Sequence, residues 1–190
     1  SEGGDLAISS TSKLIANTAR SFNNLTIDGI LTHSGNGTIK EYYLDYSLSG
    51  DLTVNVGGEI NVNHKGYQYS AGLGAGGSGL TSGNGGGAYG GEGGDGPNLL
   101  GGGVYGSTTE PTDLGSGGGS YTSGDPGGSG VGAIKLAVTG TTTINGGISA
   151  SGQNYVGAIS GGGSGGSIGL ATNVLTGTGT MTAIGGLGYT

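Results

Sequence analysis

The stretch GAIKLAVTGTTTINGGISAS, residues 132–151, and its second copy GSIGLATNVLTGTGTMTAIGG, residues 166–186, decide how this chain folds. Each copy joins two runs of β-branched and apolar residues through a Gly turn, and the copies start about 30 residues apart. A repeat of this length can bury its apolar face only by stacking on the next repeat. The pair therefore predicts a stack of similar β units.

Weaker copies of the same plan lie upstream, in residues 25–32 (LTIDGILT) and residues 52–63 (LTVNVGGEINVN). Segments 6–15 and 39–48 would add a third strand to the first two units. We therefore expect an all-β fold, a parallel β-helix (β-solenoid) of about four coils with three short strands in each. Because no segment carries a capped 3.6-residue apolar stripe, we expect essentially no helix beyond one turn near residues 10–20.

Apolar and polar residues alternate within these runs, and this alternation predicts which side chains point into the stack. Lys135, between Ile134 and Leu136, is one polar residue expected to face outward. The residues expected to face inward are Ile60, Val62, Ile134, Leu136, Val138, Ile148 and Ala150.

A Gly-rich insertion, residues 69–131, separates N-terminal coils in residues 1–68 from C-terminal coils in residues 132–190, and we expect one structural domain overall. A structureless loop of this length is unusual inside a domain. Gly recurs at every third residue, as at Gly87, Gly90 and Gly93, and a polyproline II helix has three residues per turn. Two interpretations remain open: ordered polyglycine-II rods on one face of the stack, or a flexible Gly/Ser linker.

Composition excludes several classes of protein and favours an extracellular location. The 190 residues include 52 Gly and no Cys, so a disulfide framework or thiolate metal site cannot form. With five Lys and Arg residues and a net charge of -7, there is no basic surface for nucleic acid, and no apolar run is long enough to span a membrane. The only Met is Met181, well inside the chain, which favours signal-peptide cleavage or excision from a longer protein.

The segment YGSTTEPTDLGSGGG, residues 105–119, is followed by more Gly-rich sequence and then by GAIKL, residues 132–136. This combination resembles the glycine-rich parallel β-helix modules of large secreted and cell-surface proteins, of the adhesin or extracellular filament type. The resemblance covers residues 50–190. It implies a structural or adhesive role, and it brings no catalytic motif.

The function expected first is that of a structural protein, a self-associating subunit or module of a cell-surface fibre or filament. Both ends of a short stack expose unpaired backbone groups and apolar interior, which favours end-to-end or lateral association with other copies. The alternative is an adhesin or a phage-tail-type binding module that uses Gly-rich loops and Tyr to bind surface glycans or proteins. A polysaccharide-active enzyme is the least favoured class, because the acids are dispersed in turns and form no catalytic pair, so we assign no catalytic residues.

Three tyrosines, Tyr89, Tyr105 and Tyr121, are the candidate ligand-binding residues in the Gly-rich insertion. A tyrosine ring offers a flat apolar face and a polar tip, which suits a sugar or a protein contact. The competing interpretation is that these rings cover open Gly backbone at the edges of the coils.

Glu92 and Asp95 lie in the run GGEGGDGPN, residues 90–98, which is close to the calcium-binding nonapeptide repeat. Calcium prefers carboxylate and carbonyl oxygens, and stacked turns supply them in that repeat. Here the motif occurs once, and Pro97 replaces its apolar strand residue. Calcium is the one cofactor considered, and a solvated Gly-rich turn is the alternative.

Two further sets of polar residues match simple patterns. Asn24 and Asn36 each begin an N-x-Thr acceptor sequence for glycosylation. His33 and His64 follow corresponding strands, and we expect them to be exposed turn histidines rather than metal ligands.

Overall fold

The structure, a computed structural model, describes residues 3–79, 84–121, 125–155 and 159–189. These residues form twelve β-strands and no helix, as the absence of helical periodicity predicted. The strands are β1 (Leu6–Ile8), β2 (Lys13–Ile15), β3 (Arg20–Phe22), β4 (Leu25–Ile27), β5 (Ile30–Thr32), β6 (Leu44–Leu48), β7 (Leu52–Val54), β8 (Glu59–Asn61), β9 (Ala133–Ile144), β10 (Gly147–Ser149), β11 (Ser167–Thr176) and β12 (Thr180–Thr182).

All strand pairs are parallel, and they form two sheets. The larger sheet has seven strands in the order β1-β4-β7-β9-β6-β3, and β11 also pairs with β9. The smaller sheet has five strands in the order β12-β10-β8-β5-β2. Because β9 pairs with both β6 and β7, the strands before and after the Gly-rich insertion belong to the same sheet.

The predicted parallel β-helix of about four coils with three short strands each is wrong. The chain instead forms two parallel sheets, of which the larger is a nearly closed, barrel-like wall. The reason lies in β9, a continuous strand of twelve residues whose first half pairs with β6 and whose second half pairs with β7. Short strands were expected, but the Gly140 N–H donates to the carbonyl of Gly50 at 2.9 Å, so the hydrogen-bond ladder continues through the middle of this long strand.

The interior between the sheets is filled by apolar side chains that lie in register from strand to strand. One such row joins Leu14, Leu31, Ile60, Ile148 and Met181 across the smaller sheet. All seven residues predicted to face inward are buried, and Lys135 is exposed, as predicted. The alternation therefore identified the inward face correctly even though the coil plan was wrong.

Polar side chains that directly precede β1, β4 and β7 connect successive strands of the larger sheet. Oδ1 of Asp5 accepts the Asn24 N–H at 3.2 Å, and Oδ1 of Asn24 accepts the Asp51 N–H at 2.8 Å. Oδ1 of Asp51 then accepts the Thr141 N–H at 2.7 Å. Each carboxylate or amide thus accepts a hydrogen bond from a backbone donor at the next strand, and these bonds lie at the surface.

The Gly-rich segments pack beside the sheets as a separate layer, which we call the glycine bundle (residues 69–79, 84–121, 125–131 and 159–166). Its backbones hydrogen-bond to one another without forming regular strands: Gly85 N–H donates to Gly77 at 3.1 Å, Gly119 N–H to Gly85 at 2.8 Å, and Gly161 N–H to Gly119 at 2.9 Å. Most of residues 114–119 are fully buried. The described part of the insertion is therefore a packed layer rather than a free linker.

Candidate functional site

Two features of the surface stand out, and the first is the edge formed by β11 and β12, which we call the C-terminal edge. β11 pairs with β9 and β12 with β10, and neither has a second partner among the described strands. Large apolar side chains are exposed along this edge: Val174, Leu175 and Met181 are between 46% and 52% exposed. The sequence from residue 136 to residue 190 contains no Asp, Glu, Lys or Arg.

The opposite edge, formed by β1, β2 and β3, differs in length and charge. Each of these strands has three residues, and Lys13 and Arg20 are exposed on β2 and β3. Short strands and charged side chains protect a sheet edge from pairing with a second edge of the same kind. The C-terminal edge has a ten-residue strand and no charge, so it lacks this protection.

The second feature is an open cavity of about 490 Å³, which we call the tyrosine cavity. Residues 87–92 and 104–111 of the glycine bundle form one side, and residues 164–166 and 183–185 form the other. Tyr89 and Tyr105 both contribute to its lining, together with Glu92. Two of the three tyrosines predicted to bind a ligand are therefore brought to one site.

The two tyrosine rings pack edge to face, with centroids 5.2 Å apart. The Tyr105 hydroxyl donates to the Leu114 carbonyl and accepts a hydrogen bond from Oγ of Ser116 at 2.8 Å. Ser116 Oγ in turn accepts the Gly74 N–H at 3.0 Å. Burial is the main cause that raises the pKa of Tyr105 well above its ordinary value, so this residue is neutral and fixed in position.

The Tyr89 hydroxyl is buried but has no hydrogen-bond partner within normal geometry, and the side chain is 8% exposed. The nearby Ser167 hydroxyl donates instead to the Asp113 carbonyl at 2.7 Å. Burial raises the pKa of Tyr89, and the proximity of Ser167 and of the Asp113 backbone opposes that rise. A buried hydroxyl without a partner is unusual and costs free energy, of the order of 1–3 kcal/mol.

Gly106 completes the wall beside Tyr89 and could not be replaced by a larger residue. Its φ is +87°, a left-handed conformation, and a Cβ there would collide with the Tyr89 ring. The loop that follows is attached to the segment before β6: Lys40 Nζ donates to the Thr112 carbonyl at 2.7 Å and lies 3.4 Å from Oδ1 of Asp113.

Tyr121, the third predicted ligand-binding tyrosine, does not line the tyrosine cavity. Its backbone N–H donates to the Asp125 carbonyl at 3.2 Å. The cavity also has apolar lining residues that the sequence did not single out, Val104, Pro111 and Ala183. They carry no motif, and only the packing of the glycine bundle on the sheets identifies them.

The predicted calcium ligands, Glu92 and Asp95, both border a second depression beside the tyrosine cavity. Oδ1 of Asp95 accepts the Gly101 N–H at 2.8 Å, so this carboxylate holds its own turn together. Across the described parts of the chain, no three His, Cys, Asp or Glu side chains come together as a metal site. Calcium binding stays a prediction without support from a ligand cluster.

The predicted glycosylation acceptors have side-chain amides that already make internal hydrogen bonds. Nδ2 of Asn24 donates to Oδ1 of Asp5 at 2.9 Å. Nδ2 of Asn36 donates to the carbonyls of Tyr42 and Lys65 at 2.9 and 2.8 Å. A glycan at Asn36 would have to break at least one of these bonds, and glycosylation stays a prediction.

His33 was expected to be exposed, and this is wrong, since it is 1% exposed. Nδ1 donates to the Ser34 carbonyl at 2.7 Å, whereas the buried Nε2 has no hydrogen-bond partner and faces Gly132. The pKa of His33 is lowered to about 4, mainly by burial; the Ser34 hydrogen bond opposes this shift, and the nearby Lys65 charge contributes to it. His33 is thus a neutral residue at the junction where the glycine bundle leads into β9.

Comparisons with family models, with curated proteins and with solved structures find no match to this chain. Within the described residues, no helix is long and apolar enough to cross a membrane. The C-terminal edge and the tyrosine cavity are the two candidate functional features of the described residues.

Proposed function

We propose that this chain is an extracellular structural module that associates with further copies of itself through its strand edges, as part of a surface fibre or filament. The observation that carries the proposal is the C-terminal edge. Its long strand β11 has no partner on its outer side among the described strands, its apolar side chains are exposed, and it carries no charge. Such an edge is a ready template for another strand. Pairing would cover both its backbone groups and its apolar side chains.

The register of the sheets supports head-to-tail association, with the β1–β3 edge of one copy on the C-terminal edge of the next. Two rows of paired residues begin at Leu6 and Leu14 on the β1–β3 edge, and they end at Leu175 and Met181 on the C-terminal edge of the same copy. When a second copy is placed next along these rows, its Leu6 lies beside Leu175 of the first copy and its Leu14 lies beside Met181. The parallel strand pairing therefore continues from one copy to the next. An interface of this heterologous type generates a filament, because it does not close on itself.

Charge also favours this orientation. Two β1–β3 edges brought together would place Lys13 and Arg20 of one copy against those of the other, and like charges on paired strands are unfavourable. Against the uncharged C-terminal edge, the same two cations meet no like charge.

The test compares the size of the assembly before and after charges are placed on the C-terminal edge. We expect the wild-type protein to form oligomers in sedimentation velocity and the double variant Leu175→Lys, Met181→Lys to be monomeric, because each new lysine would be buried against Leu6 or Leu14 of the next copy without a partner for its charge. The matched control is Val56→Lys, Leu73→Lys, which adds two charges at exposed apolar positions away from both edges and leaves the oligomers intact.

Orientation is tested in the same preparations by disulfide trapping, since the chain has no cysteine of its own. Lys13 and Thr180 lie at the two ends of one row of paired residues. In a head-to-tail contact, Lys13 of one copy therefore lies opposite Thr180 of the next, at a spacing between strands that a disulfide can bridge. A mixture of Lys13→Cys and Thr180→Cys copies should cross-link far faster than either variant alone. A monomeric wild type overturns the proposal, and cross-linking of Thr180→Cys alone overturns the head-to-tail orientation.

A further inference from the structure

The tyrosine cavity has the size and the mixed lining of a small-molecule site. The strands of the two edges proposed to self-associate do not line it. Its volume of about 490 Å³ lies within the range of roughly 300–1,000 Å³ that is typical of ligand pockets. The lining includes the apolar residues Val104, Pro111 and Ala183 as well as the hydroxyl-bearing residues Ser107 and Thr108. The lining thus combines apolar carbons with hydrogen-bonding groups.

The charge of the lining excludes one large group of ligands. Glu92 is the single charged side chain among the described lining residues, and no Lys, Arg or His lines the cavity. The whole chain has a net charge of -7, which further repels anions. Phosphates and acidic sugars are therefore poor ligands, and an uncharged ligand rich in hydroxyl groups fits the lining.

The aromatic part of the wall is fixed before any ligand arrives. The Tyr105 ring is held by its hydrogen bonds to Leu114 and Ser116 and by its edge-to-face contact with Tyr89. A ring that does not need to be ordered on binding costs little entropy, and the C–H faces of a pyranose pack well against such rings.

We propose that the tyrosine cavity is a binding site for a neutral oligosaccharide. The sugar would pack against the edge of the Tyr89–Tyr105 pair and hydrogen-bond to the hydroxyl and backbone groups of the Gly-rich wall. Binding at this site is separate from the strand edges, so a monomeric edge variant retains it.

The experiment is calorimetric titration of the full chain with neutral trisaccharides built from glucose, galactose, mannose or N-acetylglucosamine, each at millimolar concentration, with trigalacturonate as the anionic comparison. We expect at least one neutral trisaccharide to bind and trigalacturonate to bind at least about tenfold more weakly. The variant Gly90→Leu fills the cavity without disturbing the fold, because Gly90 lines the cavity and a Cβ there meets no atom within 4 Å.

Gly90→Leu should weaken neutral-sugar binding at least about tenfold. Gly103→Leu is the matched control, because Gly103 is equally open in the same bundle but does not line the cavity, and it should bind as the wild type does. Circular dichroism confirms that both variants are folded. If none of the neutral sugars binds, or if Gly90→Leu and Gly103→Leu bind equally well, the proposal is overturned.

Discussion

The interior between the sheets and the interior of the glycine bundle are packed in different ways. Between the sheets, side chains such as Leu31 and Ile60 fill the space, and both are fully buried. In the glycine bundle the backbones themselves are in contact, so that a Cβ on Gly119 would collide with the Gly77 carbonyl. Stability therefore depends on side-chain volume in the first region and on the absence of side chains in the second.

This difference determines how each region responds to mutation. A core filled by side chains loses free energy when a side chain is shortened, because a cavity remains. A layer of touching backbones loses free energy when a side chain is added, because the backbones must separate. Three predictions test this contrast, and they are ordered by the expected size of the effect.

The largest effect is expected in the side-chain core, for Leu31→Ala. Leu31 is fully buried between Leu14 and Ile60 in its row, so shortening it leaves a cavity. We expect a loss of about 2–5 kcal/mol in the free energy of unfolding, measured by chemical denaturation. Leu73→Ala, at a residue that is 80% exposed, is the control and should change stability little. Equal losses in the two variants would contradict the packing described here.

The second effect concerns the junction between the two regions, where His33 faces Gly132. Burial lowers the pKa of His33 from 6.5 in the unfolded chain to about 4 in the folded one. Between these two pH values the unfolded chain binds more protons, so stability decreases as the pH falls from 6.5 to about 4. The loss is at most about 3 kcal/mol, at 1.36 kcal/mol per pH unit.

Denaturation curves recorded across this pH range measure the effect. His33→Gln removes the titrating group, and its stability should fall less steeply with pH than that of the wild type. Burial also lowers the pKa of His64, but His64 is present in both proteins, so the difference between them reports on His33 alone. Identical pH profiles for the two proteins would show that His33 is not buried in its neutral form.

The smallest effect is expected in the glycine bundle, for Gly119→Ala. The new methyl group would collide with the Gly77 backbone and come close to Cβ of Asn84, so the neighbouring segments must move apart. We expect a loss of about 1–3 kcal/mol. Hydrogen exchange should become faster at the Gly119 and Gly161 amides, whereas the sheet amides should stay protected. Gly103→Ala, where a Cβ meets no atom within 4 Å, is the matched control. Unchanged exchange in Gly119→Ala would mean that the bundle is loosely packed.

The sequence predicted the inward-facing residues correctly because alternation is a local property of each strand. The expectation of short strands failed at β9, where twelve residues form one strand and Gly140 stays in the ladder through its hydrogen bond to Gly50. Whether a Gly ends a strand depends on the neighbouring strand, which a local pattern does not contain. His33 was misjudged for a similar reason, since the segment that buries it begins near Gly132, far away in sequence.

For the candidate sites, too, the sequence identified individual residues, whereas their arrangement depends on contacts between distant segments. The sequence singled out Tyr89 and Tyr105, but their meeting in one cavity depends on how residues 87–92 and 104–111 pack beside residues 164–166 and 183–185. Tyr121 has the same composition around it and lies outside the cavity. The uncharged tail of the sequence was visible from the start, but only the pairing of β11 and β12 shows that it forms an open edge.

The sequence by itself determined that this chain is built from strands, which residues face the interior, and that a Gly-rich insertion interrupts the repeats. These features follow from composition and short-range periodicity. The tertiary structure alone decided how the strands divide between two sheets, where the glycine bundle packs, and which tyrosines share a cavity. Those outcomes depend on contacts between distant segments, because parallel pairing and close backbone packing are set by the partner segment rather than by the local sequence.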